Sequence, residues 1–387
     1  MEVDLISLFE PECGAREIEL VSAVLESAKW GDGPMVEGFE RAFAGWVGRK
    51  HAVAVGSGTL GTWIVLRALG IGPGDEVICT SHTWHQVAQA ITLCGATPVF
   101  ADINYWTGSL SPEKAALKIT PKTRALLAGN TNGHPAAWEP LRALAQAKGL
   151  TLIEDSTEAL GSRYKGQQVG TFGDVSVFDF SAPSALCTGE GGMLVTDDDD
   201  LVHELRYLRQ RRVADRSSVS VGSRVPLQAG MSEMTAALGL AQLAGLDERL
   251  DARKQVVAWY HEQMQSFEGV KPPYIGEGVD EVHWMLYVVH LGKRFSGSAR
   301  AQMIDDLRSC GVETAPYSHP LHQQFYYMQA GDAIGRQRGV LIDTDRIGDR
   351  ALALPLHTLL DEEQVQYIVK TLKDTATNVG AGAAIYL

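Results

Sequence analysis

Over the first two-thirds of the chain, short apolar runs rich in β-branched residues alternate with stretches of helical period. The runs predict strands at His51–Val55, Glu76–Thr80, Thr97–Ala101, Arg124–Leu127, Leu150–Glu154, Val175–Asp179 and Gly192–Thr196. Between them, Leu60–Leu69, Gln86–Leu93 and Leu141–Lys148 space their apolar residues as amphipathic helices do. Strands apolar on both faces and separated by helices predict an α/β fold: a mostly parallel sheet of about seven strands, covered by helices. In such sheets ligands sit beyond the carboxyl ends of the strands. The loops after Val55, Thr80, Asp155 and Asp179 are therefore where chemistry is expected.

After the helical stretch Met231–Gln263 the pattern changes. His283–Leu291 alternates as a strand, while Ala299–Ser309 and Glu362–Lys373 read as helices. This predicts a large α/β domain over 1–250 and a smaller α+β domain over 251–387. The first dozen residues read as an arm, and the Gly- and Ala-rich stretch Thr375–Leu387 as a mobile tail.

Composition narrows the function classes. A length of 387 residues suits two domains, and 45% hydrophobic with 21% charged residues suits an ordered globular protein. The excess of 47 acidic over 34 basic residues works against nucleic acid or an anionic membrane as partner. Arg206, Arg209, Arg211 and Arg212 form the one dense basic group, read as a solvated helix end. The cysteines at 13, 79, 94, 187 and 310 have no C-x-x-C spacing and read as free thiols. With no basic leader at Met1–Ile6 and no apolar run of membrane length, a cytoplasmic protein is expected.

A series of motifs then occurs in order: Ser57-Gly-Thr59, Gly72-Pro-Gly-Asp-Glu-Val-Ile78, Gly95-Ala-Thr-Pro-Val-Phe-Ala-Asp102, Glu154-Asp155, Gly161-Ser-Arg-Tyr-Lys-Gly166, Thr171-Phe-Gly-Asp174, Gly189-Glu-Gly-Gly192, Ala236-Ala-Leu-Gly-Leu-Ala-Gln242 and Leu354-Pro-Leu-His357. Together they resemble the DegT/DnrJ/EryC1/StrS sugar aminotransferases, from about residue 8 to residue 375. The resemblance implies the fold-type I pyridoxal phosphate architecture and a homodimer with shared active sites. It implies that Ser57, Gly58 and Thr59 open a helix whose N–H groups bind the cofactor phosphate, though the same residues serve any helix start. Trp84 stands where an aromatic ring stacks on the pyridine, and equally where a Trp simply packs. Asp155 matches the carboxylate that pairs with the pyridinium nitrogen. A turn cap is the plainer alternative for it.

The departures from the pattern cluster in the same cup. No lysine lies between Lys165 and Lys254, and Ser184 stands where the family's Schiff-base lysine is expected, so an internal aldimine is not expected; pyridoxal phosphate (PLP) or pyridoxamine phosphate (PMP) stays admissible as a noncovalent ligand. Asp179 stands for the phosphate-binding serine. Two unit charges at ~4 Å interact by ~4 kcal/mol at an effective dielectric near ~20, more than a few neutral hydrogen bonds return. Gln228 replaces the asparagine that reaches the neighbouring subunit's phosphate, Gly230 an arginine, and Glu158 a glutamine near the cofactor hydroxyl.

Without the cofactor, Trp84, His85, Asp155, Glu158, Asp179 and Ser184 form an acid–base set with an aromatic wall, and His85, Asp155, Glu158 and Ser184 are the catalytic candidates. A Ser-His-Asp nucleophile is conceivable from Ser184, His85 and Asp179 or Asp155. His82, His319, His322 and His357 lack metal-ligand spacing, and no metal site is expected. Gly31-Asp-Gly33 before Pro34 reads as a turn or as the family's N-terminal loop beside the substrate. The leading expectation is a cofactor-free or cofactor-altered elimination, isomerisation or condensation on a sugar-like or amino small molecule. The alternatives are a lysine-less PLP- or PMP-dependent dehydratase or aminotransferase acting on a keto sugar, and a non-catalytic partner subunit.

Overall fold

The structure, a computed structural model, describes residues 5–385 apart from 32, 210–224, 266, 268, 294, 296 and 330–339, with backbone only over 381–385. Its strands are β1 (His51–Val55), β2 (Glu76–Thr80), β3 (Thr97–Ala101), β4 (Thr123–Gly129), β5 (Thr151–Asp155), the hairpin β6 (Arg163–Tyr164) and β7 (Gln167–Gln168), β8 (Val175–Asp179), β9 (Gly192–Thr196), β10 (Val270–Lys271), β11 (Val279–Glu281), β12 (Tyr287–Leu291), β13 (Ala315–Pro316) and β14 (Ala351–Leu354). The helices are α1 (Ala15–Ser27), α2 (Pro34–Val47), α3 (Gly58–Ala68), α4 (His85–Leu93), α5 (Pro112–Ala116), α6 (Trp138–Lys148), α7 (Asp199–Arg209), α8 (Glu233–Ala244), α9 (Leu246–Met264), α10 (Gly297–Ser309), α11 (Phe325–Gln329), α12 (Ile342–Gly348) and α13 (Glu362–Ile385).

Seven strands form the central sheet in the order β1-β9-β8-β5-β4-β2-β3. β9 runs antiparallel to both of its neighbours, and the pairs from β8 through β3 are parallel. Alternation along each strand decides what it packs against. In β1, Val53 and Val55 join the core under α3, whereas Ala52 and Ala54 join the aromatic cluster of α2. Phe178 and Phe180 likewise pack on Phe43, with ring centroids 5.0 and 5.4 Å away, so the intervening Asp179 faces the other way, toward α3. Each such buried side chain contributes about 1.5–3 kcal/mol, so the direction of Asp179 is well anchored.

A second sheet, β10-β12-β14-β13, carries its own core with α9, α10 and α13. The boundary expected near residue 250 falls inside α9. Arg253 on that helix is buried and donates to the carbonyls of Leu356, Trp284 and Met285 at 2.7–2.9 Å. Two expectations are corrected. The tail is helical: α13 continues to Ile385, with Ala376 and Val379 still buried, because alanine favours the helix and has a face to bury. Arg209 is no solvated helix end; it is buried, paired with Glu40, and donates to the Ala54 carbonyl at 2.9 Å. Arg211 and Arg212 lie outside the described residues, as does Asp32 of the Gly31–Gly33 turn.

The arm lies across the smaller sheet's end. Ile6 bridges Val312, the Leu8 N–H donates to Glu313 at 2.8 Å, and Leu356 donates to the Leu8 carbonyl at 3.1 Å. The five cysteines are free, with Cys79 and Cys94 buried and Cys13 exposed. Among the described residues no helix is long and apolar enough to cross a membrane.

Candidate active site

β1, β2, β4, β5 and β8 all end at one edge of the central sheet, and their loops bring the candidate residues together. Glu154 and Asp155 show how alternation divides the labour. Glu154 points into the protein and accepts from the N–H groups of Gly170, Phe172 and Gly173, the Ser176 hydroxyl and the Asn130 amide. Asp155 points out of the strand end, half-buried, and accepts from the Thr157 N–H at 3.1 Å. Burial raises its carboxyl above the usual range, and the nearby Asp179 and Glu154 charges add to that.

Glu158 follows on the same loop. Its carboxylate accepts hydrogen bonds from the Asn132 N–H and the Tyr317 hydroxyl. Burial pushes its pKa up to about 7, with the Asp155 charge adding and the two hydrogen bonds opposing. Tyr317, just past β13, is held neutral by burial and by the neighbouring Glu158 charge. The ring of His82 meets it edge-on at 5.3 Å, and His82 Nδ1 lies 2.6 Å from the Ser318 hydroxyl. Burial lowers the His82 pKa to about 3 and that of His290 to about 4, so both stay neutral imidazoles. His82, Asn132, His134, His290 and Tyr317 line one narrow cleft here.

At the start of α3 the Ser57 hydroxyl caps the Leu60 N–H at 3.2 Å, and the Ser57 carbonyl takes the Gly61 N–H at 2.9 Å. The Gly58 N–H donates to Asp179 Oδ2 at 2.6 Å. The other oxygen of Asp179 accepts from the N–H of Ser181, at 2.8 Å, and from its hydroxyl. Gly192 lets β9 pass behind: a Cβ there would sit 2.9 Å from the Gly58 nitrogen.

The remaining candidates lie elsewhere. His85 is exposed in the first turn of α4 and makes no hydrogen bond or ion pair with the carboxylates, because the helix turns its side chain outward. Ser184 is buried, and its hydroxyl accepts from the Leu186 N–H at 3.3 Å. It faces a small separate cavity with Phe9, Glu10, Arg249, Arg253 and His357. The Ser-His-Asp arrangement is thus not assembled. Trp84 packs beside Tyr317 and Met285, its buried indole N–H lacking a well-directed hydrogen bond, though near enough to Glu158 to favour the ionised form. Gln228 and His319 are exposed, and His357 lies 3.2 Å from the Ser7 carbonyl. His322 sits between the Ser81 hydroxyl, at 2.6 Å, and Asp345, at 3.0 Å, but Ser81 is fully buried, so this clasp fastens one loop to another. Among the described residues no three metal-binding side chains converge.

Tyr317 is the site residue that sequence reasoning misses. It carries no motif, and it reaches Glu158 across 159 positions of chain.

Comparison with known proteins decides the lineage of this architecture. The profile of the DegT/DnrJ/EryC1/StrS aminotransferase family matches residues 11–373. The chain belongs to that family. It is 34% identical to the spore coat polysaccharide biosynthesis protein SpsC of Bacillus subtilis (strain 168) over 94% of this chain and 95% of that one. It is 35% identical to the GDP-perosamine synthase of Caulobacter vibrioides (strain ATCC 19089 / CIP 103742 / CB 15) over 95% of this chain and 97% of that one. The crystal structure of S. venezuelae DesV in complex with a ketimine intermediate has 31% identity and a TM-score of 0.86, covering 96% of this chain and 98% of that one. The fold is therefore the fold-type I architecture of these aminotransferases.

The resemblance puts the cofactor phosphate at the start of α3, where the Asp179 carboxylate already takes the Gly58 N–H. Among the described residues, none of the hydrogen bonds of Asp155, Glu158, Asp179 or Ser184 comes from a lysine or arginine. Asp155 stands where the resemblance puts the ring nitrogen, and Trp84 packs beside Tyr317; a carboxylate at the Gly58 N–H does not suit a phosphate.

Proposed function

We propose that this chain is an enzyme of the sugar aminotransferase family that works without an internal Schiff base. It carries out proton-transfer chemistry, an elimination, isomerisation or condensation, on a sugar-like or amino small molecule. The observation that carries this reading is Glu158: a carboxyl held by Tyr317 and Asn132, with a pKa of about 7. At neutral pH such a group is present in both protonation states, so it can take a proton from carbon or give one to a leaving oxygen at Oε1. Oε2 accepts from the Tyr317 hydroxyl and the Asn132 N–H, which together fix the direction of the carboxyl. Asp155 supplies a second carboxylate at the strand end, and the partner subunit of a homodimer completes the pocket on the side where Gln228 is exposed. A second reading rests on Asp155 alone: its position suits the ring nitrogen of noncovalent PLP or PMP, which would keep the chain among pyridine-dependent dehydratases or aminotransferases acting on a keto sugar.

The relatives include a GDP-perosamine synthase, and DesI has been solved in the presence of its TDP-sugar product, so nucleotide-linked keto sugars are the first substrates to try. Incubated in D2O without added pyridine cofactor, the protein should catalyse deuterium exchange into one of these sugars. Glu158→Gln should slow that exchange about 10²–10⁴-fold. Exchange that appears only after PMP is added would favour the second reading, and exchange indifferent to Glu158→Gln would sink the first.

A further inference from the structure

We propose that Asp179 is a built-in occupant of the anion seat at the start of α3, which closes this pocket to any ligand that must anchor a phosphate there. The first donor of the seat is taken. The Gly58 N–H goes to Asp179 Oδ2 at 2.6 Å and the Leu60 N–H to the Ser57 hydroxyl at 3.2 Å, so the N–H and hydroxyl of Thr59 remain beside a carboxylate. Asp179 also lies tight against the helix start, being 4% exposed, with its carboxylate oxygen 2.7 Å from a Cβ built on Gly58. The carboxylate is not free to swing aside. Phe178 and Phe180 pin the strand on the opposite face, and Ser181 holds the second oxygen with its N–H and hydroxyl. A helix start attracts one anion, and here the chain supplies its own. α3 is therefore capped by the chain itself, and a phosphate arriving at the seat meets a negative charge on its first donor.

This inference deepens the proposed function, because it removes the main handle by which the family's cofactor would be held. Its test is binding rather than turnover. Equilibrium dialysis with pyridoxal 5′-phosphate and with unphosphorylated pyridoxal, and melting in inorganic phosphate against chloride at equal ionic strength, read the seat directly. The wild-type protein should bind the two pyridines within about threefold of each other and gain nothing from phosphate. Asp179→Ser should prefer the phosphorylated form by about tenfold or more, and phosphate should raise its melting temperature. If Asp179→Ser does not fold, Asp179→Asn keeps the size while removing the charge and should show the same preference in smaller measure. A wild-type preference of tenfold for the phosphorylated pyridine, or phosphate stabilising wild type as much as the variant, would overturn the proposal. That result would leave the Glu158 exchange experiment untouched, so the two readings fail separately.

Discussion

Glu158 carries a stability consequence as well as a chemical one. Its folded pKa of about 7 lies above the ordinary 4.5, so between these values the unfolded chain gives up a proton that the folded protein keeps. Stability from this group is therefore present below about pH 4.5, declines as pH rises, and is fully lost above about pH 7, by up to about 3 kcal/mol. Glu158→Gln keeps an acceptor for Asn132 and Tyr317 and removes the titration. Its urea midpoint should exceed that of wild type at pH 8 and converge on it near pH 5; a constant difference across that range would show that Glu158 is not titrating. Asp155, Glu158 and Asp179 were legible in the sequence because each stands at a strand end in a recognisable motif. The choice between His82 and His85 was not, since three positions separate a residue still in the β2 loop, turned inward, from one on the outer face of α4. Nor was Tyr317, whose partner is fixed only by packing of one sheet against the other.

At the scale of elements, strand ends decide which side chain serves structure and which serves the site. Glu154 collects five donors, three of them main-chain groups of the loop between β7 and β8, and so ties β5 to that loop. Hydrogen bonds to a charged acceptor contribute about 1.5–3 kcal/mol each, and stranding buried N–H groups adds to the loss. Glu154→Ala should cost at least about 3 kcal/mol in denaturant unfolding, whereas Asp155→Asn, with Thr157 alone as its partner, should cost far less. Equal losses would mean that the two neighbours do not divide as their hydrogen bonds indicate. The seven central strands were readable because apolar runs buried on both faces have few alternatives. The two-residue strands β6, β7, β10 and β13 were not, since so short a segment carries no period and pairs only where the chain around it permits. α13 outran its expected end because small residues look like a loop in isolation, yet they fit a helix that has a neighbour to cover.

For the whole molecule, the feature to test first is association. Gln228 is exposed beside Val225 and Leu227, 67% and 38% exposed, next to the Ala229 carbonyl that accepts from Gly56 at the end of β1. Sedimentation equilibrium should return twice the 41.9 kDa chain mass, and charged substitutions at Val225 and Leu227 should shift it toward the single chain. A fully active single-chain species at assay concentration would count against a shared site. The arm gives the molecule one more property. Phe9, Glu10, Pro11 and Glu12 wall the cavity into which Ser184 faces, while the His357 ring meets the Ser7 carbonyl and the Leu356 N–H donates to the Leu8 carbonyl. Residues 7–12 are thus part of the wall behind the loop that carries Ser184, so a protease cut among them would be felt in the interior.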